Sequence, residues 1–72
     1  MSMYDCDGNF YTLYGPVSPS ELTIGSYLYK DPSFSVLADD GFYGFLPENT
    51  EDKFYTYKGE ILYTQSCSNL FL

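Results

Sequence analysis

Apolar and polar positions along this chain alternate with period two rather than 3.6. In SFSVLA, residues 33–38, Phe34, Val36 and Ala38 alternate with Ser33, Ser35 and Leu37. In KGEILYTQ, residues 58–65, Ile61, Tyr63 and Gln65 oppose Glu60, Leu62 and Thr64. Alternate side chains of a strand face opposite ways, so this pattern predicts strands, and the β-branched and aromatic residue types agree. Turn-forming pairs punctuate the pattern: Gly8-Asn9, Gly15-Pro16, Asp31-Pro32, Asp40-Gly41, Pro47-Glu48 and Lys58-Gly59. Together they predict strands near residues 3–6, 10–14, 22–30, 34–38, 42–46, 53–57 and 60–66. The expected fold class is all-β: a small antiparallel sheet, a sandwich or a partly open barrel of about five to seven short strands. A single small domain is expected over residues 1–72. The one helical signal is Ser18-Pro19-Ser20-Glu21, a capping-box spacing with Pro at the first helical position, and Gly25 limits it to about one turn.

Alternation also divides the aromatic residues between faces. In FYTY, Phe54 and Thr56 share one side while Tyr55 and Tyr57 share the other, and in GFYGF Phe42 opposes Tyr43 and Phe45. The chain holds nine Tyr and six Phe in 72 residues. A domain of this size buries only roughly 60% of its unfolded-chain surface. So thin a core cannot hide both sets of rings. Tyr27, Tyr29, Phe42, Tyr43, Phe45, Phe54, Tyr55 and Tyr57 are therefore the candidate binding residues, since exposed Tyr and Phe are favoured in interfaces and Tyr also stacks on sugars.

Charge narrows the classes of partner. Ten acids against Lys30, Lys53 and Lys58 give a formal charge of −7, with no Arg and no His. Phosphate backbones and anionic lipid surfaces are held by Lys and Arg, so direct nucleic-acid binding and membrane binding are not expected. Without His the usual general base of nucleophilic catalysis is missing, and no enzyme activity is expected. No cofactor and no metal site are expected either. The stretch YDCDGNFYTLYG, residues 4–15, offers Asp5, Asp7 and Asn9 at calcium-loop spacing, but Phe10 stands where the loop requires Gly and Pro16 where it requires Glu. Cys6 lies between two carboxylates that disfavour its thiolate, so it is no redox nucleophile. The same stretch reads as a hairpin turn on Asp7-Gly8. Cys6 and Cys67 stand near opposite ends of the chain and are expected to bring their strands together, either as a disulfide or, in a reducing compartment, as two buried thiols.

The run ELTIGSYLYKDPSFSVLADDGFYGF followed by KFYTYKGEILYTQSC resembles a short Gly/Tyr-punctuated β module of phage virion and tail-fibre proteins and of large bacterial surface proteins. The positions that carry the resemblance are Gly25, Leu28, Tyr29, Asp31, Gly41, Tyr43, Tyr55, Tyr57, Gly59 and Cys67, within residues 21–67. The resemblance implies a structural, non-enzymatic module of a virion or extracellular surface. The expected function is accordingly a capsid decoration or a tail or fibre component that docks on a larger protein assembly, or on itself, through aromatic strands. LPENTEDK, residues 46–53, is then a charged solvent loop, and the apolar tail SNLFL is an alternative contact. Two other readings stand beside it: a host-surface glycan- or protein-binding module, and an acidic inhibitor in the host cytoplasm that mimics nucleic acid.

Overall fold

A computed structural model of the chain describes residues 1–47 and 51–68. The fold is all-β. Five strands, β1 (Ser2–Tyr4), β2 (Phe10–Thr12), β3 (Gly41–Tyr43), β4 (Asp52–Tyr57) and β5 (Glu60–Ser66), form a two-stranded sheet β1-β2 and a three-stranded sheet β3-β4-β5, both antiparallel. The two sheets meet where Tyr4 and Gly44 exchange a pair of backbone hydrogen bonds of 2.7 and 2.9 Å. The strands do not close into a barrel. Pro19–Glu21 make a single 3-10 turn; the Ser18 hydroxyl donates to the Glu21 carboxylate at 2.7 Å instead of capping a backbone N–H.

Local chemistry explains the two hairpins. Lys58 and Gly59 both take positive φ, 50° and 83°, and join Tyr57 to Glu60 in the two-residue turn whose twist matches its strands. Space favours glycine at position 59 as well, since a Cβ there would lie 3.1 Å from Leu37 Cβ and 3.2 Å from Leu28 O. The expected two-residue turn on Asp7-Gly8 is instead a five-residue loop between Tyr4 and Phe10. Asp5 sets its size by accepting from the N–H groups of Asp7 and Asn9, each at 2.9 Å, which competes with a tight turn.

The strands expected near 22–30 and 34–38 do not form. Residues 25–29 divide their backbone bonds among several partners: Gly25 donates to Ile61 O, Leu28 to Gly59 O, and Tyr29 exchanges bonds with Tyr14. A segment that changes partner every residue or two pins the ends of other strands together but builds no ladder. Residues 31–36 form a loop clasped by Asp31, whose carboxylate accepts from the N–H groups of Ser35 at 3.0 Å and Val36 at 2.8 Å. Phe34 consequently sits at φ 60°, and of Phe34, Val36 and Ala38 only Ala38 is buried.

The interior is small: Met3, Leu13, Leu22, Leu28, Ala38, Tyr43 and Ile61, with Met1, Val17 and Phe54 packed against it. Two polar side chains are buried with it. Lys53 is enclosed and donates its ammonium to Leu46 O, and it passes so close to Gly44 that a Cβ there would lie 2.6 Å from Lys53 Cδ. Thr56 Oγ1 has no hydrogen-bond partner among the described residues. Cys6 and Cys67 are joined in a disulfide across 61 positions, with Cα atoms 5.6 Å apart. It ties the β1-β2 loop to the end of β5.

Two stability changes follow. Replacing both cysteines by Ser is expected to lower the unfolding free energy by about 4 kcal/mol, the chain-entropy contribution of closing a loop of this length, measured by urea denaturation against the oxidised protein. Thr56→Val is expected to stabilise the domain by about 1 kcal/mol, since it removes a buried hydroxyl without a partner at nearly constant volume. A loss of stability in that variant would mean that the hydroxyl is satisfied.

Candidate functional site

The aromatic residues are positioned by one irregularity in a regular ladder. From the Lys58-Gly59 turn the register runs Tyr57 opposite Glu60 and Thr56 opposite Ile61, and then shifts so that Tyr55 faces Tyr63. The additional residue, Leu62, makes a bulge. Because a one-residue slip exchanges faces, Ile61 points into the core while Tyr63 points outward. Phe42 is opposite Tyr55 on the other flank. The result is a three-ring ladder across β3, β4 and β5 on the face away from the core. Phe42 and Tyr55 have centroids 5.0 Å apart; Tyr55 and Tyr63 are stacked at 4.9 Å with planes 22° apart. Cross-strand ring pairs of this kind stabilise a sheet while leaving one ring face in contact with solvent.

The eight expected binding residues do not form one surface. Phe42 and Tyr55 belong to the ladder and are half-buried. Tyr57 is exposed at the hairpin end with Lys58 Nζ 5.4 Å from its ring centroid. Tyr27, exposed, bridges to Glu60, and Tyr29 packs on Phe34 at 5.2 Å. Phe45 is exposed but leans edge-on against Phe54 at 6.2 Å, and Phe54 itself packs on the core. Tyr43 is a correction: it is 5% exposed, its hydroxyl donates to Asp39 O at 2.9 Å, and it is an interior residue rather than part of the exposed aromatic face. The residue that the sequence reading missed is Tyr63. Alternation counted from the turn sets Leu62 opposite Tyr55, and only the bulge substitutes Tyr63.

Beside the ladder lies a cleft of roughly 320 Å³ lined by Asp5, Asp7, Tyr11, Asp40, Phe42, Tyr43 and the disulfide at Cys6, with Gly41 at its edge. Asp5 organises it, accepting from the Asn9 side chain at 3.1 Å and from the Tyr11 hydroxyl at 2.9 Å. Burial alone would raise the Asp5 pKa, but the hydrogen bonds from Asn9, Tyr11 and the Asp7 N–H outweigh it and hold the carboxyl below its usual value. The bond to Asp5, followed by burial and the charges of Asp5, Asp39 and Asp7, raises Tyr11. Burial, reinforced by the charges of Asp39, Tyr11, Asp5 and Asp40, pushes Tyr43 up to about 12. Among the described residues no group of three or more Cys, Asp or Glu side chains is arranged to hold a metal. The Asp40 carboxylate is already engaged by the Lys58 N–H at 2.8 Å.

Of the remaining expected elements, Glu48, Asn49 and Thr50 of the charged loop and Asn69 to Leu72 of the apolar tail lie outside the described residues. No helix among the described residues is long and apolar enough to cross a membrane. No protein-family model matches the chain, and no curated protein or solved structure is similar to it.

The shifted tyrosine gives a pH test with a definite sign. Between pH 10 and about 12 the unfolded chain releases the Tyr43 proton while the folded chain keeps it, so stability present below pH 10 is lost as pH rises through that window. Tyr43→Phe is expected to start less stable at neutral pH, having lost the bond to Asp39 O, and to decline less steeply from pH 10 to 12 in urea titrations.

Proposed function

We propose that this chain is a non-enzymatic structural component of a virion or extracellular surface assembly that docks through its outer aromatic strands. The observation that carries the reading is the Phe42–Tyr55–Tyr63 ladder, three rings aligned on a face that the domain's own core does not use. Aromatic rings in fixed rotamers supply contact area at low entropic cost. The disulfide supports a location outside a reducing cytosol, where such bonds persist, and weighs against a cytoplasmic nucleic-acid mimic. Lysine placement reinforces the expectation of a protein partner over nucleic acid: Lys53 is enclosed, leaving Lys30 and Lys58 exposed, and Lys30 is paired with Asp39 at 2.7 Å.

A second reading, a glycan-binding module, is favoured by the cleft, where Phe42 adjoins the carboxylates of Asp5, Asp7 and Asp40. Rings beside hydrogen-bond acceptors are a sugar-binding combination. The two readings separate experimentally. Followed through density-gradient purification from its native source, the wild-type chain is expected in the particle or surface-layer fraction at fixed stoichiometry. The Tyr55→Ser, Tyr63→Ser double variant is expected in the soluble fraction with an unchanged far-ultraviolet spectrum. Wild type recovered free of any particle, together with saccharide binding that Asp5→Asn or Asp40→Asn abolishes, would replace the first reading by the second.

A further inference from the structure

We propose that the outer edge of β5, residues 62–65, pairs antiparallel with the same edge of a second copy of this chain. Among the described residues the edge is guarded only at its start. Ile61 donates to Ser26 O and accepts from Gly25 N–H, both at 2.8 Å, so residues 25–26 cover the flank there, next to the bulge. Beyond it, among the described residues, Leu62, Tyr63, Thr64 and Gln65 have β4 on one side and no backbone partner on the other. Proteins protect such edges with Lys, Pro, inward-pointing charge or bulges; these four positions carry no Lys, Pro or charge, and the bulge at Leu62 lies at the start of the stretch.

Charge selects a second copy over a cationic partner. The chain carries −7, and its acids lie on the loops and turns around Asp5, Asp31, Asp39 and Glu51 and at the strand ends, Asp52 and Glu60. A basic protein is drawn to those carboxylates. Two like-charged copies, in contrast, approach at least electrostatic cost where neither carries charge, and Leu62–Gln65 is such a stretch. Its side chains are available: Leu62 is 40% and Tyr63 43% exposed.

Geometry fixes the register by parity. A two-fold axis perpendicular to the sheet keeps each copy's outer face on the same side, and directly opposed residues of a ladder share a face. Tyr63 must therefore stand against the partner's Tyr63 or the partner's Gln65. Either register carries the Phe42–Tyr55–Tyr63 ladder across the axis into the ladder of the second copy. Four residues of edge make a contact well below the standard interface size, so the dimer is weak and concentration-dependent.

The inference uses the outer face described under the proposed function only to orient the pair. It is measured on purified chain alone, so it can fail while docking to a particle stands, and particle docking can fail while it stands. Sedimentation equilibrium of the oxidised full chain is expected to show a reversible monomer–dimer equilibrium. Dimer is favoured on raising salt from about 0.05 to 0.5 M, because screening weakens the repulsion between two anionic copies. Leu62→Glu and Thr64→Glu, both at exposed positions, are expected to weaken dimerisation at least tenfold with the far-ultraviolet spectrum and thermal midpoint retained. Phe10→Glu, on the opposite edge strand, is expected to leave it unchanged. A chain ending at Ser68 should dimerise as wild type does. Monomer alone at millimolar concentration in 0.5 M salt, or loss of the dimer in the shortened chain, would overturn the proposal.

Discussion

Among the described residues the core cluster has seven buried apolar side chains and the two sheets share one direct pair of backbone bonds, between Tyr4 and Gly44, so the covalent link from Cys6 to Cys67 is the strongest single constraint on the arrangement. It fastens the loop after β1 to the end of β5, and so holds the edge of the smaller sheet against the larger one. The cleft is a product of the same constraint, because Cys6 forms part of its wall and Asp5 and Asp7 flank it in sequence. A domain of this size typically adds a staple to a minimal core, and here the staple also shapes the surface.

Much of the architecture was legible because its cause is local. The strands near 53–57 and 60–66, the Lys58-Gly59 turn and the split of Phe54 and Thr56 from Tyr55 and Tyr57 all survive in the structure, since strand geometry and turn conformation act within a few residues. The outer face was legible only in part. Leu62 is inserted by a bulge that no residue type announces, and it exchanges the faces of everything after it: Ile61 and Tyr63, which simple alternation places together, end on opposite sides. Tyr63 could be assigned to the ladder only once the register was known.

Residues 22–38 show the opposite failure. Their alternation imitates strands, yet their backbone groups are claimed individually by Gly59, Ile61 and Tyr14, and by the Asp31 carboxylate. Asp31 is held well below the usual carboxylate range by bonds from Ser33, Ser35 and Val36, which shows how completely one side chain organises this loop. Alternation records which residue types tolerate an extended backbone. It does not record whether a partner strand is present to pair with them. Tyr43 was misplaced for a different reason: alternation separates it from Phe42 but does not say which side is the core, and in the structure Tyr43 lies opposite Phe54 on the core-facing side.

The enclosure of Lys53 bears on how this chain meets digestive proteases. Enzymes of trypsin specificity cut after Lys or Arg in accessible, extended backbone, and Arg is absent. Lys53 is shut beneath Leu46, and Lys58 occupies a two-residue turn at positive φ, a shape unlike an extended substrate. Lys30 is left as the accessible position. A cut there divides the chain into residues 1–30 and 31–72, and each piece carries one half of the disulfide. The nicked molecule stays in one piece, so cleavage after Lys30 releases no fragment.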